Sequence, residues 1–153
     1  MSRSLIDLRE LPTLTGADYR VELHRPDETF LEGERESYFS DLGGGSDQVV
    51  FVDPDIGFEP KGRYEKHVAF ADVEKILDQI SQESVVSVYQ HQRQGESYGD
   101  TNAGIRRRLP GVHCAAIYGH HVMFVAISRS RSCIESVSEA NVSYATARSL
   151  TTS

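Results

Sequence analysis

The chain has 153 residues and a mass of 17.1 kDa, about one domain's length, with a net charge of −7 and a pI near 5.3. That acidic balance argues against a protein that works by coating nucleic acid, because such proteins are basic. No apolar run approaches the ~18 residues of a membrane span, and the N-terminal MSRSLIDLRELP lacks a signal-peptide core, so a cytoplasmic protein without a membrane partner is expected.

The charge is uneven. Residues 1–60 sum to −9 and residues 61–153 to +2. The basic clusters are Arg106-Arg107-Arg108 and the pair Arg129 and Arg131, read either as solvated side chains or as an anion-facing rim. The acids Asp27, Glu28, Glu32, Glu34 and Glu36 supply an acidic surface, read either as a mimic of nucleic acid or as a solubilising face.

In chain order, YRVELH (19–24) alternates apolar and polar residues and predicts a half-buried strand. GERESYFSDL (33–42) predicts a helix, ended by Gly43-Gly44-Gly45. VVFVD (49–53) is continuously apolar and predicts a strand buried on both faces. Residues 54–70 read as a long loop, and Val73, Ile76, Leu77 and Ile80 mark an amphipathic helix. VVSVY (85–89) predicts a second buried strand, so residues 49–89 have the size of a βαβ unit with parallel strands. A short helix over 102–109, capped by Asp100 or Thr101, comes next. HCAAIYG and HVMFVAIS then predict a β-hairpin turning near Gly119-His120. The fold class is therefore an α/β open sheet of about five strands, with a parallel core pair and a C-terminal antiparallel hairpin, over residues 1–128. Residues 129–153, rich in Ser and Thr, are expected to be peripheral or disordered.

Parallel strands gather ligands at their carboxyl ends. Here those ends read Asp53-Pro54-Asp55 and Tyr89-Gln90-His91. Asp53, Asp55 and His91 are the candidate acid–base groups, because a strand end followed by proline fixes a carboxylate and an imidazole titrates near neutrality. Asp53, Asp55 and Glu59 are candidate ligands for Mg²⁺ or Mn²⁺. Gln90, Arg93, Lys61 and Arg63 are candidate substrate-binding residues, as donors to a base edge or a phosphate. Cys114 lies in an apolar strand, the usual place of an inert thiol. Asp55 and Glu59-Pro60-Lys61 imitate the letters of a PD-(D/E)xK nuclease, but the ExK follows too closely and contains a proline.

The order VVFVDPD, helix, VVSVYQHQ, helix and hairpin resembles the second half of a Rossmann-like methyltransferase, across roughly residues 35–128. In that family a D-P-P-type motif ends the fourth strand; Asp53-Pro54-Asp55 falls there. The chain also resembles uncharacterised bacterial and phage proteins carrying a D-P-D-x-G-x-E segment, here Asp53 to Glu59, and a Y-Q-H segment, here Tyr89 to His91. The resemblance implies a Rossmann-like sheet. S-adenosylmethionine is not expected, because the chain lacks a G-x-G-x-x-G turn and Gly43-Gly44-Gly45 precedes a strand instead of leaving one. The expected function is group transfer or hydrolysis on a nucleotide or nucleic-acid substrate; the alternative is a non-catalytic interaction module of phage or mobile-element origin. The short N-terminal part leaves a sheet edge open, so a homodimer is expected.

Overall fold

The computed structural model describes residues 8–25, 28, 30–42, 45–60, 66–119, 121–148 and 150–152, with Glu32 described by its backbone. Two short helices, α1 (Leu11–Thr15) and α2 (Arg35–Tyr38), precede the first strand, β1 (Val49–Val52). Two-residue strands β2 (Gly57–Phe58) and β3 (His67–Val68) follow, then helix α3 (Phe70–Gln79) and strand β4 (Val85–His91). Helix α4 (Tyr98–Arg108), the hairpin strands β5 (His113–Gly119) and β6 (Val122–Ser128), helix α5 (Arg131–Arg148) and strand β7 (Thr151–Thr152) complete the chain.

The main sheet has the order β1-β4-β6-β5-β7. β1 is parallel to β4, with Phe51 opposite Ser87 and Val52 opposite Val88. β6 is antiparallel to both β4 and β5, and β7 is antiparallel to β5. The expected α/β open sheet with a parallel pair and a C-terminal hairpin is what forms. Its membership differs at both edges. Residues 19–24 form no strand despite their alternation; Tyr19 and Leu23 are exposed, and no sheet edge lies alongside to take their backbone groups. The fifth strand is β7, from the C-terminal segment.

Each strand alternates between two faces. On one face Val86 and Val88 of β4, Met123, Val125 and Ile127 of β6, and Ala116 of β5 pack against Val73, Ile76 and Leu77 of α3 and Ile105 of α4. Phe58, Val68 and Phe70 close this core. Each large apolar side chain fully buried here contributes about 1.5–3 kcal/mol. On the other face Val85, Ala115 and Ala126 pack with Ile134, Cys133 and Val137 of α5. The segment expected to be peripheral or disordered thus carries an 18-residue helix lying over β5 and β6. Small residues in both hairpin strands let that helix approach. Among the described residues β1 and the outer half of β4 have no such cover, and β1 is a half-exposed edge strand where a strand buried on both faces was expected.

The helix expected over 33–42 is one α-helical turn, α2, after a 3₁₀ turn at Glu32–Glu34. It is held from outside by a buried ion pair between Arg35 and Asp72, and Arg35 Nη2 donates to the His67 carbonyl at 3.1 Å. Asp72 also accepts from the Ala69 N–H at 2.7 Å, capping α3. Of the three consecutive glycines only Gly45 lies among the described residues. Helix α4 begins earlier than expected, because Ser97, and neither Asp100 nor Thr101, is its cap: Ser97 Oγ accepts from the Asp100 N–H at 3.1 Å.

Candidate functional site

Both strand ends reach one hollow of about 470 Å³, lined by Phe51, Asp53, Pro54, Asp55, Tyr89, His91 and Phe124. Strand parity explains which residues enter it. Phe51 and Asp53 share a face of β1 and its extension; Tyr89 and His91 share the same face of β4. Phe124 stands opposite Tyr89 on β6. Ring centroids lie 5.5 Å apart for Tyr89 and Phe124 and 6.2 Å apart for Phe51 and Phe124, the latter pair meeting across the small Ser87. The result is an aromatic row over three adjacent strands, with Phe51 51% and Phe124 38% exposed.

The acid and the imidazole sit at the end of this row. The Tyr89 hydroxyl and His91 Nε2 are hydrogen-bonded at 3.2 Å, with the two rings edge-to-face at 4.9 Å. That bond leaves Nδ1 as the ring's second functional atom. Asp55 faces Lys66 at 3.9 Å. Asp53 is exposed and forms no hydrogen bond or ion pair with another described residue.

Asp53, Asp55 and His91 are therefore brought together; the other described candidates are not. Gln90 lies between Tyr89 and His91, so period two turns it into the core, where it is 0% exposed. Its Oε1 accepts from the Phe58 N–H at 2.8 Å and its Nε2 donates to the His91 carbonyl at 2.6 Å. It is a strut between β4 and the loop that follows β1, not a substrate ligand. Arg93 serves the same loop, donating from Nη2 to the Phe58 carbonyl at 2.9 Å and pairing with Glu96. Glu59 turns away from Asp53: it pairs with Arg108 at 3.3 Å and accepts from the Phe70 N–H at 3.3 Å. Among the described residues no group of three or more His, Cys, Asp and Glu is placed to hold a metal ion. The expected trio of Asp53, Asp55 and Glu59 reduces to the Asp53–Asp55 pair. Lys61 and Arg63 lie outside the described residues.

The loop that carries the two aspartates is bonded to its neighbours just after them, from Ile56 to Glu59. The His91 N–H donates to the Ile56 carbonyl at 3.0 Å, and the Ile56 N–H to that of Lys66 at 3.2 Å. Gly57 makes the return, with φ at +121° and no room for a side chain, since an added Cβ would lie 2.4 Å from Gln90 Oε1. These bonds fix the backbone from which the carboxylates project.

The basic clusters are largely engaged elsewhere. Arg108 stacks 3.9 Å over the Phe70 ring, Arg106 donates to the Cys114 carbonyl at 2.9 Å, and Arg129 donates to the Leu77 carbonyl at 2.8 Å. Burial pushes the Cys114 thiol up to about 11, against the opposing pull of Arg106, so it is not a thiolate at neutral pH. Burial, Arg93 and Arg35 hold His67 below the ordinary imidazole value, with Glu59 opposing.

Sequence reasoning did not single out Phe51 and Phe124. The signal was available: in Val50-Phe51-Val52-Asp53 the aromatic ring shares parity with the acid, and in Tyr89-Gln90-His91 only the outer two residues can share a face. The chain gives no significant match to any protein-family model, curated protein or solved structure. Among the described residues no helix is long and apolar enough to cross a membrane.

Proposed function

We propose that the strand-end hollow binds a base-bearing ligand, a nucleotide or an unpaired base of a nucleic acid, and performs acid–base chemistry in group transfer or hydrolysis. The observation that carries this reading is the aromatic row of exposed Phe51, half-buried Tyr89 and exposed Phe124 ending in Asp53 and His91. A base stacked on a protein ring gains about 1–3 kcal/mol. Asp53 and His91 then supply a carboxylate and an imidazole on the side where the ligand lies, with Tyr89 orienting the imidazole. For a phosphate-bearing substrate, Asp53 and Asp55 are a carboxylate pair of the kind that holds Mg²⁺ or Mn²⁺ together with substrate phosphates and water. S-adenosylmethionine has no part in this reading, since no glycine-rich turn opens a helix after a strand.

Calorimetric titration of the four ribonucleosides and their 5′-monophosphates, with and without Mn²⁺, tests it. At least one should bind, and Phe124→Ser should weaken that binding tenfold or more while the protein stays folded. Full affinity in folded Phe124→Ser removes the proposal. Mn²⁺ should strengthen binding of the nucleotide only, and not in Asp53→Ala.

A separate observation supports association with a second copy. β1 is an edge strand with Val49 69% exposed, an unpaired edge of the kind that sheets extend across. Light scattering that gives the mass of one 17.1 kDa chain removes the homodimer.

A further inference from the structure

We propose that the hollow selects its base by the hydrogen-bond donors on its edge, and that the base is guanine; this rests on the base-binding reading above. Three features of the lining carry it. The rings of Phe51, Tyr89 and Phe124 supply a stacking surface. Among the described residues no lysine or arginine lines the hollow. Asp55 has the Lys66 ammonium 3.9 Å away, whereas the Asp53 carboxylate has no described partner, so Asp53 is the lining carboxylate without a described cation beside it.

An ionised carboxylate only accepts, through two oxygens side by side. It is best satisfied by two parallel N–H groups, the geometry of a bidentate pair. On its Watson–Crick edge guanine offers two such groups next to each other, at N1 and N2. Adenine offers the N6 amino group beside a lone pair at N1. Cytosine offers N4 beside a lone pair at N3. Uracil offers a single N–H between two carbonyls. Each of these turns a lone pair towards a carboxylate oxygen, and a mismatched polar edge loses more than the missing bond.

The experiment is calorimetry of guanosine, adenosine and N-acetylarginine amide with the wild-type chain and with Asp53→Asn. The arginine derivative is included because a guanidinium also stacks on rings and offers paired donors. Guanosine is expected to bind at least tenfold more tightly than adenosine. Asp53→Asn replaces one acceptor by a donor, so it should lower guanosine affinity at least tenfold and leave adenosine unweakened. Asp53 is exposed, and equal melting temperatures for the two proteins assign the loss to the site. Equal binding of the two nucleosides, or guanosine affinity retained in Asp53→Asn, overturns guanine selection but leaves base binding standing. Binding of the arginine derivative with neither nucleoside bound overturns both.

Discussion

On one face of β4, Val86, Val88 and Gln90 lie under α3, α4 and the loop after β1; on the other, Ser87, Tyr89 and His91 of the same strand face the hollow. The difference lies in what covers them. The first face meets two helices whose apolar stripes fill it, and its polar group, the Gln90 amide, is bonded to Phe58 and His91. The second face meets α5, which covers the hairpin strands, β7 and the start of β4 at Val85, and leaves the rings of Phe51 and Phe124 exposed. Burial on one side therefore fixes the backbone that aims side chains on the other. The backbone that carries Phe51 and Asp53 gains its position from packing on the opposite face.

This contrast can be broken from the core side with large losses of stability. Arg35→Ala leaves the Asp72 carboxylate buried without its cation, and a loss of about 3–5 kcal/mol is expected in urea unfolding. Gly57→Ala places a methyl group against the Gln90 amide in a backbone conformation that alanine rarely adopts. A loss of about 2–5 kcal/mol is expected, together with weakened ligand binding, because the same loop carries Asp53 and Asp55. A ligand affinity that survives in folded Gly57→Ala would separate the loop from the site. The smallest stability effect sharpens the comparison from the open side. Phe124→Ser removes two ring contacts, with Tyr89 and with Phe51, so a loss below about 2 kcal/mol is expected. A much larger loss would mean that the aromatic row holds the fold and does not merely stand on it.

Periodicity made much of this fold legible. The β-branched runs at 49–53 and 85–89 and the stripe from Val73 to Ile80 specify strand, helix and strand, and the paired runs around Gly119 specify the hairpin. The acidic and histidine-bearing strand ends followed from that order, since parallel strands end on the same side of a sheet. The alternation at 19–24 was equally clear, yet no strand formed, because alternation describes a surface and does not supply a neighbour to bond with.

What the sequence by itself determined is the set of elements and the pair of segments that meet, because both depend on the local spacing of apolar residues. Only the tertiary structure decided the rest. It turned Gln90, Arg93 and Glu59 inward as supports, brought α5 onto the hairpin, and left Phe51, Tyr89 and Phe124 beside Asp53 and His91. The physical reason is that the layer packed on a sheet face determines whether a side chain there is core or site, and that layer comes from residues distant in the chain.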